Sequence, residues 1–168
     1  WMSTQQTGSP AYLCKNVPVH QEDPWKFSQA GRCGRRIICK LDFTGLELIL
    51  GTKKDRDFGP VILFGMGGIL TEVLKDQAIA LPPLNRLLAK RLIEKTSVYR
   101  LLRGYRNILP ANLELLEEII IRLAHLVSDF SEIQELDINP LAVNGEKIVA
   151  LDARIILAPV KDRKAPHL

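Results

Sequence analysis

The chain has 168 residues, 46% of them hydrophobic and 25% charged, which fits one soluble globular domain with a real core. Its longest apolar run, Val61 to Leu70, is ten residues with glycines inside it, half of the roughly 20 that a bilayer helix needs, so no transmembrane helix is expected. No charged-then-apolar leader pattern opens the chain, and no signal peptide is expected either.

The three cysteines, Cys14, Cys33 and Cys39, form no CxxC pair and no Cys/His zinc spacing. They read as free thiols of a reducing cytoplasm. The net charge of +4 is unevenly spread. Residues 1–40 hold six Lys/Arg against two Asp/Glu, while residues 41–168 hold 17 of each. A basic arm can bind nucleic acid. These charges are dispersed and lack interleaved aromatics, so nucleic acid is the weakest reading of the chain.

In chain order, residues 1–35 carry no sustained period and read as an irregular N-terminal segment. Residues 36–158 read as one domain and 159–168 as a tail. Ile37 to Leu41 and Leu46 to Thr52 are predicted strands. Lys53 to Gly59 is a charged turn ending in Gly-Pro. Val61 to Phe64 is a short buried strand leading into Gly65-Met66-Gly67-Gly68, and Glu72 to Ala80 is another strand. Leu84 to Thr96 is a helix after Pro82-Pro83. Val98 to Arg103 is a short helix stopped by Gly104. Asn112 is a predicted N-cap for a helix over 113–128, with the stripe Leu116, Ile119, Ile120, Leu123 and Val127 facing a core. Ile133 to Asn139 and Lys147 to Ile156 are strands joined by an Asn144-Gly145 hairpin turn. The class is α/β or α+β with a mixed sheet, helices packed on it and a C-terminal hairpin.

That hairpin gathers oxygen atoms. With Asn144-Gly145 as the two central residues, Asp137 faces Asp152 and Asn139 faces Ala150. Alternation then places Asp137, Asn139 and Asp152 on one face and Leu136, Ile138, Val149 and Leu151 on the other. Opposed carboxylates cost on the order of half a kcal/mol unless a hard cation lies between them. Mg2+ takes such oxygens, together with phosphates. Without a cation, the same face is merely solvated.

Phe64 to Ile69 (FGMGGI) is a glycine turn of the kind that lets backbone N–H groups approach phosphate, and equally one that allows close packing. Lys53 and Lys54, just beyond a strand, could meet phosphate or simply face water. Arg103 and Arg106 around Gly104, and Glu72 and Asp76, read first as exposed or strand-edge charges. His20 and His125 have no evident partner. No Ser/His/Asp or Cys/His arrangement is present.

Taken together, GLELILGTKKDRDFGPVILFGMGGILTEVLKDQAIALPPLN, LLRGYRN, EIQELDINPLAV and IVALDARI resemble the ATP-grasp domain of ADP-forming acyl-CoA synthetases, the acetate–CoA ligase beta subunits. Succinyl-CoA synthetase beta subunits are more distant. The resemblance covers about residues 41–157 and implies the second half of the ATP-grasp fold. It implies reversible phosphoryl transfer between ATP/ADP and a phosphohistidine with Mg2+ present, coupled to acyl-CoA thioester cleavage. It implies Asn139 and Asp152 as metal ligands, Asp137 as a catalytic acidic residue beside them that meets the phosphohistidine loop or the metal, and Gly65, Gly67 and Gly68 as the glycine loop beside the phosphoryl-transfer site, with Lys53 the candidate for contact with the nucleotide phosphates.

The implied partners are the nucleotide and a CoA-binding, phosphohistidine-bearing subunit or domain, with self-association as a further expectation. Residues 1–35 do not match the family's first subdomain, and His20 lies in VPVHQED rather than the family's histidine motif. The competing expectation is therefore a truncated, catalytically incompetent remnant or interaction module.

Overall fold

A computed structural model describes residues 14–17, 33–39, 45–68 and 76–158. Its strands are β1 Cys14–Val17, β2 Cys33–Cys39, β3 Leu46–Asp55, β4 Gly59–Met66, β5 Gln77–Ala80, β6 Ile133–Asn144, β7 Lys147–Ala150 and β8 Asp152–Leu157. Its helices are α1 Arg86–Glu94, α2 Tyr99–Leu102 and α3 Leu113–Asp129. The strands form one antiparallel sheet in the order β1-β2-β8-β6-β3-β4-β5, and β7 also pairs with β6.

The α+β class expected from the sequence holds. Residues 14–17 form a strand within the segment that reads as irregular, and β2 starts at Cys33, two residues before the expected end of that segment. His20, Glu72, most of residues 1–35 and the tail from 159 lie outside the described residues.

Alternation explains the layering. Leu48, Leu50, Ile62 and Phe64 leave one face of β3 and β4 and are fully buried. They meet Leu92, Ile93, Leu102, Leu116 and Ile120 from the helices in one continuous core. α1 begins where Asn85 Oδ1 accepts from Leu88 N at 2.9 Å, and α3 where Asn112 Oδ1 accepts from Leu115 N at 2.9 Å. The Asn112 side chain also donates to Glu146 Oε2 at 2.5 Å, tying α3 to the β6–β7 turn.

The helix side is strongly basic at one place. Residues 86–106 carry seven Lys/Arg and one Glu. All seven cations are exposed, and among the described residues none of them forms an ion pair with a carboxylate. Arg106 lies over the Tyr105 ring, 5.3 Å from its centre.

The hairpin differs from the sequence expectation in register. Asn144 pairs with Lys147 and Leu141 with Ala150, so the central turn residues are Gly145-Glu146. Gly145 has φ +56°, the left-handed conformation that glycine takes without penalty. The return is also two strands rather than one. β7 pairs the end of β6, the chain breaks at Leu151, and β8 pairs its beginning.

A bulge matches that break across β6. Leu48 faces Leu141 and Leu50 faces Ile138, so the single residue Ile49 faces both Asn139 and Pro140. Such a bulge rotates the strand locally and re-aims a side chain.

Candidate functional site

The face of the sheet opposite the helices carries the polar residues. Across three adjacent strands, Gly51 of β3 stands opposite Asp137 of β6, which stands opposite Arg154 of β8. In the row on one side, Lys53 faces Glu135, and Lys53 Nζ lies 3.6 Å from Glu135 Oε1. On the other side is the bulge. There the β6–β8 register continues through Leu151 N donating to Pro140 O at 3.0 Å, which sets Asn139 opposite Asp152.

Asp137 therefore opposes Arg154, not Asp152. The slip from the expected register is two residues, an even number, so Asp137, Asn139 and Asp152 still share one face. Gly51 leaves that face bare beside Asp137: a β-carbon there would stand 3.4 Å from Asp137 Oδ1.

The glycine turn meets this row directly. Gly68 N donates to Asn139 Oδ1 at 3.3 Å, across 71 residues of sequence. Gly67 N donates to Glu47 O at 2.8 Å, and Met66 N donates to Asp76 O at 3.0 Å. The turn is fastened to β3 on one side and to the start of β5 on the other. Gly67 has no room for a side chain, since a β-carbon would overlap the Leu48 carbonyl. Gly68 adopts φ +66°, and the Glu47 carboxylate occupies the space a β-carbon would take.

Sequence reasoning passed over Glu47. Its signal is faint: the only acid within LELILG, flanked by leucines on a strand whose next residues are buried.

Other sequence candidates fall outside this group. Lys54 lies on the helix side, donating to Ser131 O at 3.2 Å. Arg103, Arg106 and His125 are exposed on the helix layer and its loops. Asp76 is a cap: its two carboxylate oxygens accept from Ser97 N at 2.6 Å and Val98 N at 2.8 Å, at the entry to α2.

On β3, β6 and β8 the polar face carries Glu47, Glu135, Asp137 and Asp152 together with Lys53 and Arg154, and on β2 Arg36 stands opposite Arg154. Among the described residues no three His, Cys, Asp or Glu side chains gather into a metal cluster. An all-protein zinc or calcium cage is thus not built from them. One carboxylate with an amide oxygen beside a phosphate-approaching turn is the donor set of a Mg2+ shared with a nucleotide. The residues present fit that group.

Residues 34–157 match a family of ATP-grasp domains, and the chain belongs to that family. Its relatives include ADP-forming acyl-CoA synthetases. It is 38% identical over 121 residues to the beta subunit of ADP-forming acetate–CoA ligase I of Pyrococcus furiosus, covering 72% of this chain and 52% of that one. It is 42% identical over 132 residues to the ADP-forming 4-hydroxybutyrate–CoA ligase of Nitrosopumilus maritimus, covering 77% of this chain and 19% of that one. Among solved structures, the dinucleotide-forming acetyl-coenzyme A synthetase 1 of Ca. Korarchaeum cryptofilum, in complex with coenzyme A and Mg-AMPPCP, superposes with a TM-score of 0.68 at 34% identity. The match covers 71% of this chain and 56% of that one. The chain thus spans about half, or much less, of the relatives it matches.

Proposed function

We propose that this chain is the phosphate- and metal-handling part of an ADP-forming acyl-CoA synthetase, working on Mg-ADP and Mg-ATP with a CoA-binding, phosphohistidine-bearing subunit or domain. The single observation that supports this most is the 3.3 Å hydrogen bond from the Gly68 N–H to Asn139 Oδ1, which brings the glycine turn onto the row containing Asp152. Residues 71 positions apart are joined there, in a fold where relatives named ADP-forming CoA ligases are 34–42% identical.

In this reading Asn139 and Asp152 hold Mg2+, which when bound would offset charge on the transferring phosphoryl group and align it. The chain's own contribution is positional. The glycines at 65, 67 and 68 let the turn pack closely beside Asn139, and phosphate oxygens would reach its backbone only by displacing the present partners of the Met66, Gly67 and Gly68 N–H groups. The Asn139 amide, committed by the Gly68 N–H, keeps its carbonyl oxygen on the site side of the bulge. Asp137 stands one row away, and in this reading its carboxylate accepts a hydrogen bond from an incoming imidazole N–H. Lys53, at the outer edge of the face and 65% exposed, meets the nucleotide's outer phosphates by exchanging its Glu135 contact. The site would work in the cytoplasm, where nucleotides and CoA are available. Among the described residues no helix is long and apolar enough to cross a membrane.

Titration calorimetry with ADP in the presence and absence of Mg2+ tests the proposal. Mg-dependent binding is expected, and Asp152→Ala or Asn139→Ala should weaken it at least about tenfold, the scale of a lost charge-assisted ligand. Absence of Mg-dependent nucleotide binding, even with a CoA-binding partner subunit added, would refute it.

A further inference from the structure

Glu47 stands on the polar face at the glycine turn. Alternation along β3 sets it on the side of Gly51 and Lys53, opposite to the core residues Leu48 and Leu50. It is exposed, and its carboxylate fills the space beside Gly68 where a β-carbon would lie. Gly68 N in turn donates to Asn139 Oδ1, so the carboxylate, the turn and the amide follow one another directly. Among the described residues no hydrogen bond or ion pair holds the Glu47 carboxylate. Its neighbours across the sheet are uncharged: Ala142 pairs with it on β6, and Gly67 N donates to its backbone oxygen from the other side. The nearest cation on its own strand, Lys53, is six residues further on and stands by Glu135. An uncompensated negative charge therefore lies at the turn where phosphate oxygens would arrive.

We propose that Glu47 is a specificity-determining residue: its carboxylate turns away a nucleotide that arrives without a divalent cation and admits the metal complex. This inference rests on the reading of the site given above. The discrimination is a difference of charge. A divalent cation cancels most of the negative charge of a nucleoside diphosphate, and in that reading Asn139 and Asp152 hold it on the face that Glu47 shares. Repulsion between Glu47 and the phosphates then acts in full on the bare nucleotide, and attraction to the cation offsets it in the complex. A neutral residue here would let bare nucleotide compete for the turn. Gly68 preserves the arrangement, since any side chain there would displace the carboxylate.

Titration calorimetry of the whole chain with ADP, in Mg2+ and again in excess chelator, measures both affinities. Glu47→Gln should tighten metal-free ADP binding about threefold or more and leave Mg-ADP binding no tighter, so the preference for the complex shrinks. The gain should fade in about 1 M sodium chloride, where counter-ions screen the charge. Loss of a purely structural residue would weaken both forms together.

Glu47→Ala repeats the test without the amide donor that glutamine brings, and it stands in should Glu47→Gln fail to fold. A gain confined to Glu47→Gln is a new hydrogen bond and overturns the charge account. A parent chain with Mg-dependent binding, beside folded variants whose metal-free affinity is no higher, overturns the inference and leaves the site reading standing. A parent chain that binds ADP in neither condition, with a CoA-binding partner subunit present, overturns both.

Discussion

Asp55 closes the β3–β4 turn by accepting hydrogen bonds from Asp57 N at 2.9 Å and Phe58 N at 3.1 Å. The Asp57 N–H, and then that of Phe58, hold its carboxyl below the usual carboxylate range; burial plays almost no part. A depressed folded-state value means that the turn's contribution is present above the unfolded carboxylate's range and is lost as pH falls through the lower, folded value. A carbon-detected NMR titration should give Asp55 a midpoint below that of an aspartate in an unstructured peptide, and Asp55→Asn should flatten the acid limb of stability. An ordinary midpoint would show that the turn does not hold the carboxylate. The sequence marks this turn through its charges and its Gly-Pro ending, but not the residue that closes it. Glu47 illustrates the same limit: alternation says that it faces away from the core, and only the fold brings the glycine turn onto it.

Among the elements, Asp76 joins three pieces. Its backbone oxygen accepts from Met66 N beside the glycine turn, and its side chain accepts from two N–H groups at the entry to α2. Asp76→Ala should cost about 1–2 kcal/mol, as for a lost helix cap. Chemical denaturation measures it, and hydrogen exchange at Ser97 and Val98 should rise with it. Unchanged exchange there would mean the cap contributes nothing. From sequence, Asp76 reads as a strand-edge charge, because a cap 21 residues distant in the chain has no local signature.

The helices are more legible. Asn112 and the Leu116–Val127 stripe are local patterns, and α3 follows them to within a residue. The hairpin was half legible. Asn144-Gly145 marks a turn, but the local sequence does not tell whether Asn144 or Glu146 joins Gly145 at its centre. The grouping of Asp137, Asn139 and Asp152 survived the wrong register because parity, not register, decides the face. The Gly68–Asn139 contact, joining two segments each readable alone, was invisible to any local pattern.

At the scale of the whole molecule, the seven exposed cations on residues 86–106 have a thermodynamic consequence. Arg86 with Lys90, Arg91 with Lys95, and Arg100 with Arg103 are like charges three or four residues apart on the helices or at their ends. At a few tenths of a kcal/mol for each such neighbour, their repulsion comes to about 1 kcal/mol. Counter-ions shorten the reach of that repulsion to about 10 Å at 0.1 M and about 3 Å at 1 M. Calorimetric melting in rising sodium chloride should therefore show Tm climbing by about 2–4 °C, the shift that 1 kcal/mol produces in a chain of this size. A Tm that is flat or falls with salt would mean that attraction across the molecule outweighs this local strain. The fold crowds these seven cations on the helix layer, while Glu47 and Asp152 lie by the glycine turn on the opposite side of the sheet. On the proposed function, a nucleotide carrying net negative charge would meet these cations on the opposite side of the sheet from the glycine turn.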